Sequence, residues 1–198
     1  MIWTIGHSNH SALRFIDLLR GAGIECVADV RSTPFSRRNP QFSQAALATS
    51  LKDAGIEYWF LGDALGARPK APGCYEGGKA SYSRIAATQT FQNAIGALID
   101  KSDSLRIALM CAEKEPLECH RTILVGRALA QRSGELCHIL ADGRIEPQAD
   151  LEARLLHLMR ESVDLLNDRD TALARAYDKQ GQRMAYGSAV PASGRAGA

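Results

Sequence analysis

The stretch Leu105-Arg106-Ile107-Ala108-Leu109-Met110 is apolar at every position except Arg106. A short apolar run of this kind is typical of a strand that is buried on both faces of a parallel sheet. Four further runs of β-type character predict the other strands of the sheet, at residues 1–5, 25–30, 56–61 and 136–140.

Amphipathic segments separate these runs and predict helices. They cover residues 11–20, 43–54, 90–100, 117–131 and 150–166. Regular alternation of strands and helices predicts the α/β class. We expect a three-layer fold, with a mostly parallel five-stranded sheet and helices on both faces. The segment 62–81 is rich in glycine and proline and predicts a long loop, and loops of this length are usually functional or disordered.

The chain has 198 residues, which is enough for one domain with its own core. We predict a single α/β domain over residues 1–168. Residues 169–186 are expected to form a C-terminal helix or extension. Residues 187–198 are small and polar, and this composition predicts a disordered tail.

The net charge and the hydropathy argue against a general nucleic-acid binder and against a membrane protein. A net charge of +2 gives no overall attraction to nucleic acid or to an anionic membrane. No run of 18 apolar residues indicates a membrane span, and the first residues do not resemble a signal peptide. We therefore expect a cytoplasmic protein whose five cysteines are reduced thiols.

Polar and reactive residues follow the predicted strands at the points where they end. The segment Gly6-His7-Ser8 follows the first strand, Asp29 and Arg31 end the second, and Cys111 and Glu113 follow the fourth. Ligands of open parallel sheets bind at the carboxyl ends of the strands. We therefore predict that these residues meet in one pocket.

The basic residues of this region suggest an anionic ligand. Asp29 and Arg31 alternate along one strand, so their side chains share a face and can form an ion pair that holds Arg31 toward a ligand. A fixed guanidinium suits phosphate or carboxylate. Arg37 and Arg38 make the following loop basic, and further basic and aromatic residues lie at Arg68, Lys70, Tyr75, Lys79, Tyr82 and Arg84. Such loops can also bind single-stranded nucleic acid, although solvated surface charge is the commoner case.

The segment Cys119-His120-Arg121 opens the predicted helix shortly after Pro116. A helix N-terminus favours a cysteine thiolate, and it favours a bound anion for the same reason. Cys111 or Cys119 is therefore a candidate nucleophile, with His7 or His120 as its base. The alternative for a buried cysteine is ordinary core packing.

Two other chemistries remain open for the same residues. One is a metal site, whose ligands would be Cys111, Cys119 and His120 together with His7 or Glu113. In the other, Glu113 transfers protons while Arg31 and Arg121 bind an anion. The spacing of these residues does not distinguish the nucleophile, the metal site and the proton-transfer group. It matches neither a Cys-x-x-Cys pair nor the Cys-x5-Arg loop of thiol phosphatases.

The motifs as a set resemble a known family. They are Thr4-Ile5-Gly6-His7-Ser8, Asp29-Val30-Arg31-Ser32-x-Pro34-x-Ser36-Arg37, Asn39-Pro40-Gln41-Phe42, Gly55-Ile56-x-Tyr58, Leu61-Gly62-x-x-Leu65-Gly66, Met110-Cys111-Ala112-Glu113, Pro116-x-x-Cys119-His120-Arg121 and, near the end, Ala176-Tyr177 with Arg183-x-Ala185-Tyr186. Over about residues 1–145 the chain resembles the bacterial domain-of-unknown-function family numbered 488. The resemblance implies an α/β fold and implies no particular reaction.

We expect an enzyme that acts on a small anionic or nucleotide-like ligand, of the hydrolase or transferase type. The candidate catalytic residues are His7, Cys111, Glu113 and Cys119, and the candidate ligand-binding residues are Ser8, Asp29, Arg31, Arg37, His120 and Arg121. Ser8 has a simpler alternative role as a cap of the first helix. The sequence specifies no cofactor. The alternative functions are a non-catalytic module that binds a ligand or nucleic acid, and a metal-binding protein.

Overall fold

A computed structural model of the chain describes residues 1–133, 135–163 and 167–187. Its strands are β1 (Ile2–Gly6), β2 (Cys26–Asp29), β3 (Glu57–Phe60), β4 (Tyr75–Glu76), β5 (Lys79–Ala80), β6 (Ile107–Cys111), β7 (Leu136–Ile139) and β8 (Ile145–Pro147). The main sheet has the order β3-β2-β6-β1-β7-β8, and β4 and β5 form a separate two-stranded ribbon. All pairings of the main sheet are parallel except that of β7 with β8.

The helices are α1 (Ala12–Gly21), α2 (Gln44–Asp53), α3 (Gly62–Leu65), α4 (Tyr82–Ala86), α5 (Gln89–Ser102), α6 (Arg127–Ser133), α7 (Gln148–Met159) and α8 (Arg169–Met184). Short 3₁₀ turns lie at Pro40–Phe42, Pro72–Cys74 and Pro116–Glu118, and a π-helix at Arg121–Gly126. The mixed α/β class with a mostly parallel sheet is therefore confirmed.

Strand β6 explains the layered arrangement, because all five of its residues are buried. Its side chains alternate between the two faces. Leu109 belongs to the apolar cluster that includes Phe91 and Ile95 of α5. Met110 belongs to the opposite cluster, with Phe15 of α1 and residues of α2. The apolar run at residues 105–110 thus forms the middle of the sheet, covered on both sides by helices.

The structure differs from the sequence-based prediction in several elements, including the predicted helix over 150–166, which ends at Met159. The sheet has six strands rather than five, because the short β8 pairs with β7 at the edge. The predicted helix over 117–131 is divided into a 3₁₀ turn, a π-helix and α6. The predicted loop over 62–81 contains α3, a 3₁₀ turn and the β4–β5 ribbon.

Helix α8 packs against α7 and the π-helix Arg121–Gly126. Its Tyr177 lies in an apolar cluster with Leu151, Leu155 and Ile123. Gly187 forms an isolated bridge with Lys79. The rest of the predicted tail, residues 188–198, lies outside the described residues. No helix in the described part of the chain is long and apolar enough to cross a membrane.

The side chain of His138 in β7 is fully buried and bonded at both ring nitrogens. Nδ1 lies 2.8 Å from the Thr4 hydroxyl, and Nε2 lies 2.9 Å from Oε1 of Gln148. Since Oε1 can only accept, Nε2 carries the proton and Nδ1 accepts the bond from Thr4. Burial lowers the pKa of His138 to about 4. The folded chain therefore holds this ring in its neutral form.

We expect acid to destabilise the protein through His138. An unfolded histidine titrates near its ordinary pKa of 6.5, so the unfolded state binds a proton that the folded state refuses. The stabilisation is complete above pH 6.5 and is lost as the pH falls toward 4. Between pH 7 and pH 4.5, His138 should account for about 2–3 kcal/mol of lost unfolding free energy.

Urea unfolding at the two pH values measures this loss. The variant His138→Gln should lose less stability on acidification than the natural chain, and His157→Gln, at an exposed position of α7, should behave like the natural chain. An acid sensitivity unchanged by His138→Gln would contradict the assignment.

Candidate functional site

Three neighbouring strands end at the same edge of the sheet and continue into the candidate site. Strand β6 lies between β2 and β1. The backbone N–H of His7, after β1, donates to the carbonyl of Cys111 at 2.8 Å. On the other side, the N–H of Val30 donates to the carbonyl of Met110 at 3.1 Å. The ladder therefore continues past the strand ends and holds the residues that follow them side by side.

Gly6 allows the segment after β6 to lie directly over the end of β1. A Cβ atom at this position would lie 2.0 Å from the backbone oxygen of Glu113, which no side chain tolerates. The backbone N–H of Ser8 then donates to the carbonyl of Ala112 at 3.0 Å. Glycine at position 6 is thus required for the close approach that brings Glu113 to the site.

Asp29 and Arg31 form a buried ion pair at the floor of the site. The Nε and NH2 groups of Arg31 donate to Oδ1 and Oδ2 of Asp29 at 2.9 and 2.6 Å. The Tyr58 hydroxyl donates to Oδ2 of Asp29 at 2.8 Å. Burial, followed by the charge of Asp29, raises the pKa of Tyr58 far above its ordinary value. Burial alone would lower the pKa of Arg31, but its bonds to Asp29 outweigh burial and raise it.

His7 is held in one tautomer by its neighbours. Its Nδ1 lies 2.8 Å from the carbonyl oxygen of Ser8, which can only accept, so Nδ1 carries the proton. Its Nε2 therefore accepts from NH1 of Arg31 at 3.3 Å. The ring stacks on Phe42 with a centroid distance of 4.3 Å. Burial lowers the pKa of His7 to about 4, so the ring is neutral at pH 7.

Ser8 contributes its backbone to this arrangement and does not cap α1. Its φ angle of 48° is unusual for a residue with a side chain, and it places the Ser8 carbonyl against His7. The cap of α1 is Ser11, whose hydroxyl accepts from the backbone N–H of Arg14. The capping role suggested for Ser8 is therefore wrong.

A second group of side chains lies beside the ion pair, and we refer to it as the Cys–Glu–His cluster. Its members are Cys111, Glu113, Cys119 and His120. The thiols of Cys111 and Cys119 lie 3.0 and 2.9 Å from Oε2 of Glu113. The donor atoms of all four members lie within 4.8 Å of one another. All five cysteines of the chain are free thiols.

The members of the cluster shift one another's protonation. Burial raises the pKa of Cys111 well above its usual value, and burial also raises the pKa of Glu113. For Cys119, burial acts in the same direction, but hydrogen bonding with Cys111 and the charge of Arg121 outweigh it and lower its pKa. Of the two thiols in the cluster, that of Cys119 therefore ionises more readily.

Arg121 supports the cluster from inside the protein. Its side chain is fully buried, and its NH1 and NH2 groups donate to the carbonyls of Glu113 and Lys114 at 2.6 and 3.3 Å. It opens the π-helix Arg121–Gly126, and its Nε has no hydrogen-bond partner among the described residues. Arg121 does not line the cavity above the site, and its hydrogen bonds hold the loop after β6 in place.

A cavity of about 860 Å³ lies over these groups, within the size range of small-molecule sites. Its lining includes His7, Arg31 of the ion pair, and Cys111, Glu113 and His120 of the cluster. Arg37, Arg38 and Arg68 line its exposed side, whereas Cys119 is not part of its lining. Ser8 lines the cavity, and Asp29 is buried beneath Arg31. Except for Asp29, Cys119 and Arg121, the structure thus brings every sequence-predicted site residue to one cavity.

The sequence assigned no role to several residues of the site. Four of them are Phe42 and Tyr58, which contact His7 and Asp29, and Met184 and Tyr186, which line the cavity from the end of α8. Three of them, all but Met184, belong to the motifs quoted for the family resemblance. Aromatic residues within motifs of polar residues were therefore the available signal.

We expect the variant Tyr58→Phe to destabilise the protein through Asp29. It removes a hydrogen bond to a buried carboxylate, which typically contributes about 1.5–3 kcal/mol. The matched control is Tyr75→Phe, since the Tyr75 hydroxyl donates to a neutral carbonyl, that of Pro69, a bond that typically contributes about 0.5–1.5 kcal/mol. Urea unfolding of both variants measures the difference, and an equal loss in the two would refute this role of Tyr58.

Comparison with known proteins places the chain in a family. A search of the curated proteins and a search of the solved structures each found no match. A family model described as "Domain of unknown function DUF488" matches residues 11–128, which is more than half of the chain. The matched range includes Asp29, Arg31 and the whole Cys–Glu–His cluster. The chain therefore belongs to the DUF488 family.

Proposed function

We propose that the chain is an enzyme that binds a small anionic, nucleotide-like ligand in the strand-end cavity and acts on it. The observation that carries the proposal is the sharing of one cavity by a fixed arginine and several reactive groups. Arg31 offers donors for an anion, while Cys111, Glu113 and His120 line the same space. A concave site with few, convergent polar groups is the usual form of an active site.

Arg31 is suited to contact the anion. A guanidinium has five N–H donors, and three of them are engaged with Asp29 and His7. The two that are left belong to NH1 and NH2, on a side chain that lines the cavity. The charge of Arg31 is balanced by Asp29, so the pair provides orientation more than attraction.

The attraction comes from the rim of the cavity. Arg37 and Arg38 are exposed there, and neither forms an ion pair within the described part of the chain. Arg68 also lines the cavity and stacks on the Tyr186 ring at 4.3 Å. Positive charges around a cleft raise the local concentration of an anionic ligand.

Glu113 is the group best placed to transfer a proton to or from the ligand. Its residue is exposed toward the cavity while Oε2 contacts both thiols, and burial of the carboxyl raises its pKa toward the working range of a general acid or base. His7 has both ring nitrogens engaged and a pKa of about 4. We therefore assign His7 to the positioning of Arg31.

We expect the rim arginines to govern binding. The double variant Arg37→Gln/Arg38→Gln should weaken the binding of pyrophosphate or AMP by roughly 5- to 30-fold at low salt, from about 1–2 kcal/mol in total. The matched control is Lys52→Gln/Arg106→Gln, which removes two exposed charges from the opposite edge of the sheet. Calorimetric titration of both variants measures the effect, and equal losses in the two would argue against a specific anion site.

Turnover distinguishes an enzyme from a binding module. The natural chain should convert at least one member of a panel of nucleotides and phosphate esters, and ³¹P NMR measures the conversion. The variant Glu113→Gln should lose about 100-fold or more of that rate while still binding the compound. Asp53→Asn, an exposed carboxyl at the end of α2, is the control and should retain the rate. Failure to bind any anionic probe at low salt would overturn the proposal.

A second candidate is a non-catalytic module that binds single-stranded nucleic acid. The observation that favours it is Phe35, which is 67% exposed beside Arg37 and Arg38 and lines the same cavity. Exposed aromatic rings and arginines together stack on bases and hold phosphates. Strongly salt-dependent binding of single-stranded oligonucleotides, with no turnover of any compound in the panel, would favour this function over the enzyme.

A further inference from the structure

We propose that the Cys–Glu–His cluster is a binding site for one divalent metal ion, and that its donor set fits Zn²⁺ best. The inference adds a cofactor to the proposed function, and the catalytic role of the metal ion rests on that function. Metal binding itself is measured without any substrate. The two proposals can therefore fail separately.

The donor atoms are of the right type and already lie together. Two thiols and one imidazole supply three ligand atoms, which lie within 4.8 Å of one another and of the Glu113 carboxylate. Cysteine sulfur and histidine nitrogen are the preferred zinc ligands. These three residues are buried, whereas Glu113 is exposed and lines the cavity. A catalytic zinc centre has three protein ligands and an open fourth position, and Glu113 beside that position would be free to transfer a proton.

His120 is oriented as a metal ligand would be. Its Nε2 lies 2.9 Å from the carbonyl oxygen of Val30, which can only accept, so Nε2 carries the proton. Its Nδ1 then points a lone pair toward the thiols, at 3.6 Å from Sγ of Cys111. Histidine ligands almost always donate their second N–H to a carbonyl or carboxylate in this way.

A divalent ion that displaces the protons of the two thiols leaves the region electrically balanced. With both thiols ionised, the cluster carries three negative charges, from Cys111, Glu113 and Cys119. Arg121 contributes one positive charge, is fully buried, and appears in none of the ion pairs of the described residues. A divalent ion together with Arg121 neutralises the group. Without the ion, the acidic groups must retain protons to share so small a buried space.

The position of the cluster gives the ion access to the cavity. Cys111, Glu113 and His120 line the cavity that also contains Arg31. An ion at this place would lie next to the proposed anion site, where its open position would be accessible to an oxygen atom of the ligand. At such a place, a divalent ion polarises bound oxygen atoms.

The test is metal binding by the full chain in its reduced state. After removal of metal with a chelator, titration with Co²⁺ should give one ion per chain, a thiolate-to-cobalt charge-transfer absorption and the intense visible bands of a four-coordinate centre. Zn²⁺ should displace the cobalt and abolish both signals. Elemental analysis of the freshly purified chain should find bound zinc.

Substitutions within the cluster supply the controls. Cys119→Ser and, independently, His120→Asn should weaken Co²⁺ binding by about 100-fold or more. Cys137→Ser changes a partly exposed thiol of β7 outside the cluster and should bind cobalt like the natural chain. Circular dichroism verifies that each variant is folded, and two independent cluster variants keep the test informative if one is not.

Two results would overturn the inference. One is a reduced natural chain that takes up no cobalt. The other is a cobalt affinity that is unchanged in both cluster variants. If the chain binds cobalt but neither binds nor converts any anionic probe, only the proposed function is refuted. If the chain converts an anionic probe but takes up no metal, only this inference is refuted.

Discussion

The site depends on a buried positive charge, the guanidinium of Arg121. A charged group loses much of its hydration when it is fully buried, so its surroundings must supply compensating dipoles and charge. Arg121 donates hydrogen bonds to two carbonyls, those of Glu113 and Lys114. These bonds fold the segment after β6 back over the end of β1, where only Gly6 leaves enough room. Arg121 thus holds the loop in place and, together with the hydrogen bond from Cys111, lowers the pKa of Cys119 against the effect of burial.

The sheet supplies the second constraint. Strand β6 is buried on both faces, so functional side chains can project only from its carboxyl end, where the helices leave an opening. The chain leaves β1 toward β2 on one side of β6 and leaves β6 toward β7 on the other side. A crevice forms where connections diverge in this way, and ligand sites of open α/β sheets lie there. The cavity follows from the strand order and is therefore a property of the fold.

The sequence was most informative where one physical requirement dominated. Buried strands need apolar runs, so the strands that carry the site could be located to within about two residues by their hydropathy. Strand β8 was missed because three residues at a sheet edge bury too little to leave a pattern. The π-helix Arg121–Gly126 was missed because all six of its residues are buried and no amphipathic period distinguishes it from an α-helix.

The site residues were predictable by their position and only partly by their role. Placing polar residues at strand ends required no knowledge of strand order. The role of Arg121 depends on how far its side chain lies below the surface, which is a tertiary property. The same is true of Phe42 and Tyr58, whose contacts with His7 and Asp29 arise from different elements brought together by the fold.

The two histidines of the site show how bonding assigns a role to each. In His7 the proton on Nδ1 is fixed by the Ser8 carbonyl, and Nε2 accepts from Arg31, so both nitrogens are occupied. In His120 the proton on Nε2 is fixed by the Val30 carbonyl, and Nδ1 faces the thiols of the cluster. A ring can offer a lone pair to an incoming group only from a nitrogen that is not already accepting. His120 therefore has a lone pair directed at the cluster, whereas His7 accepts from the arginine beside it.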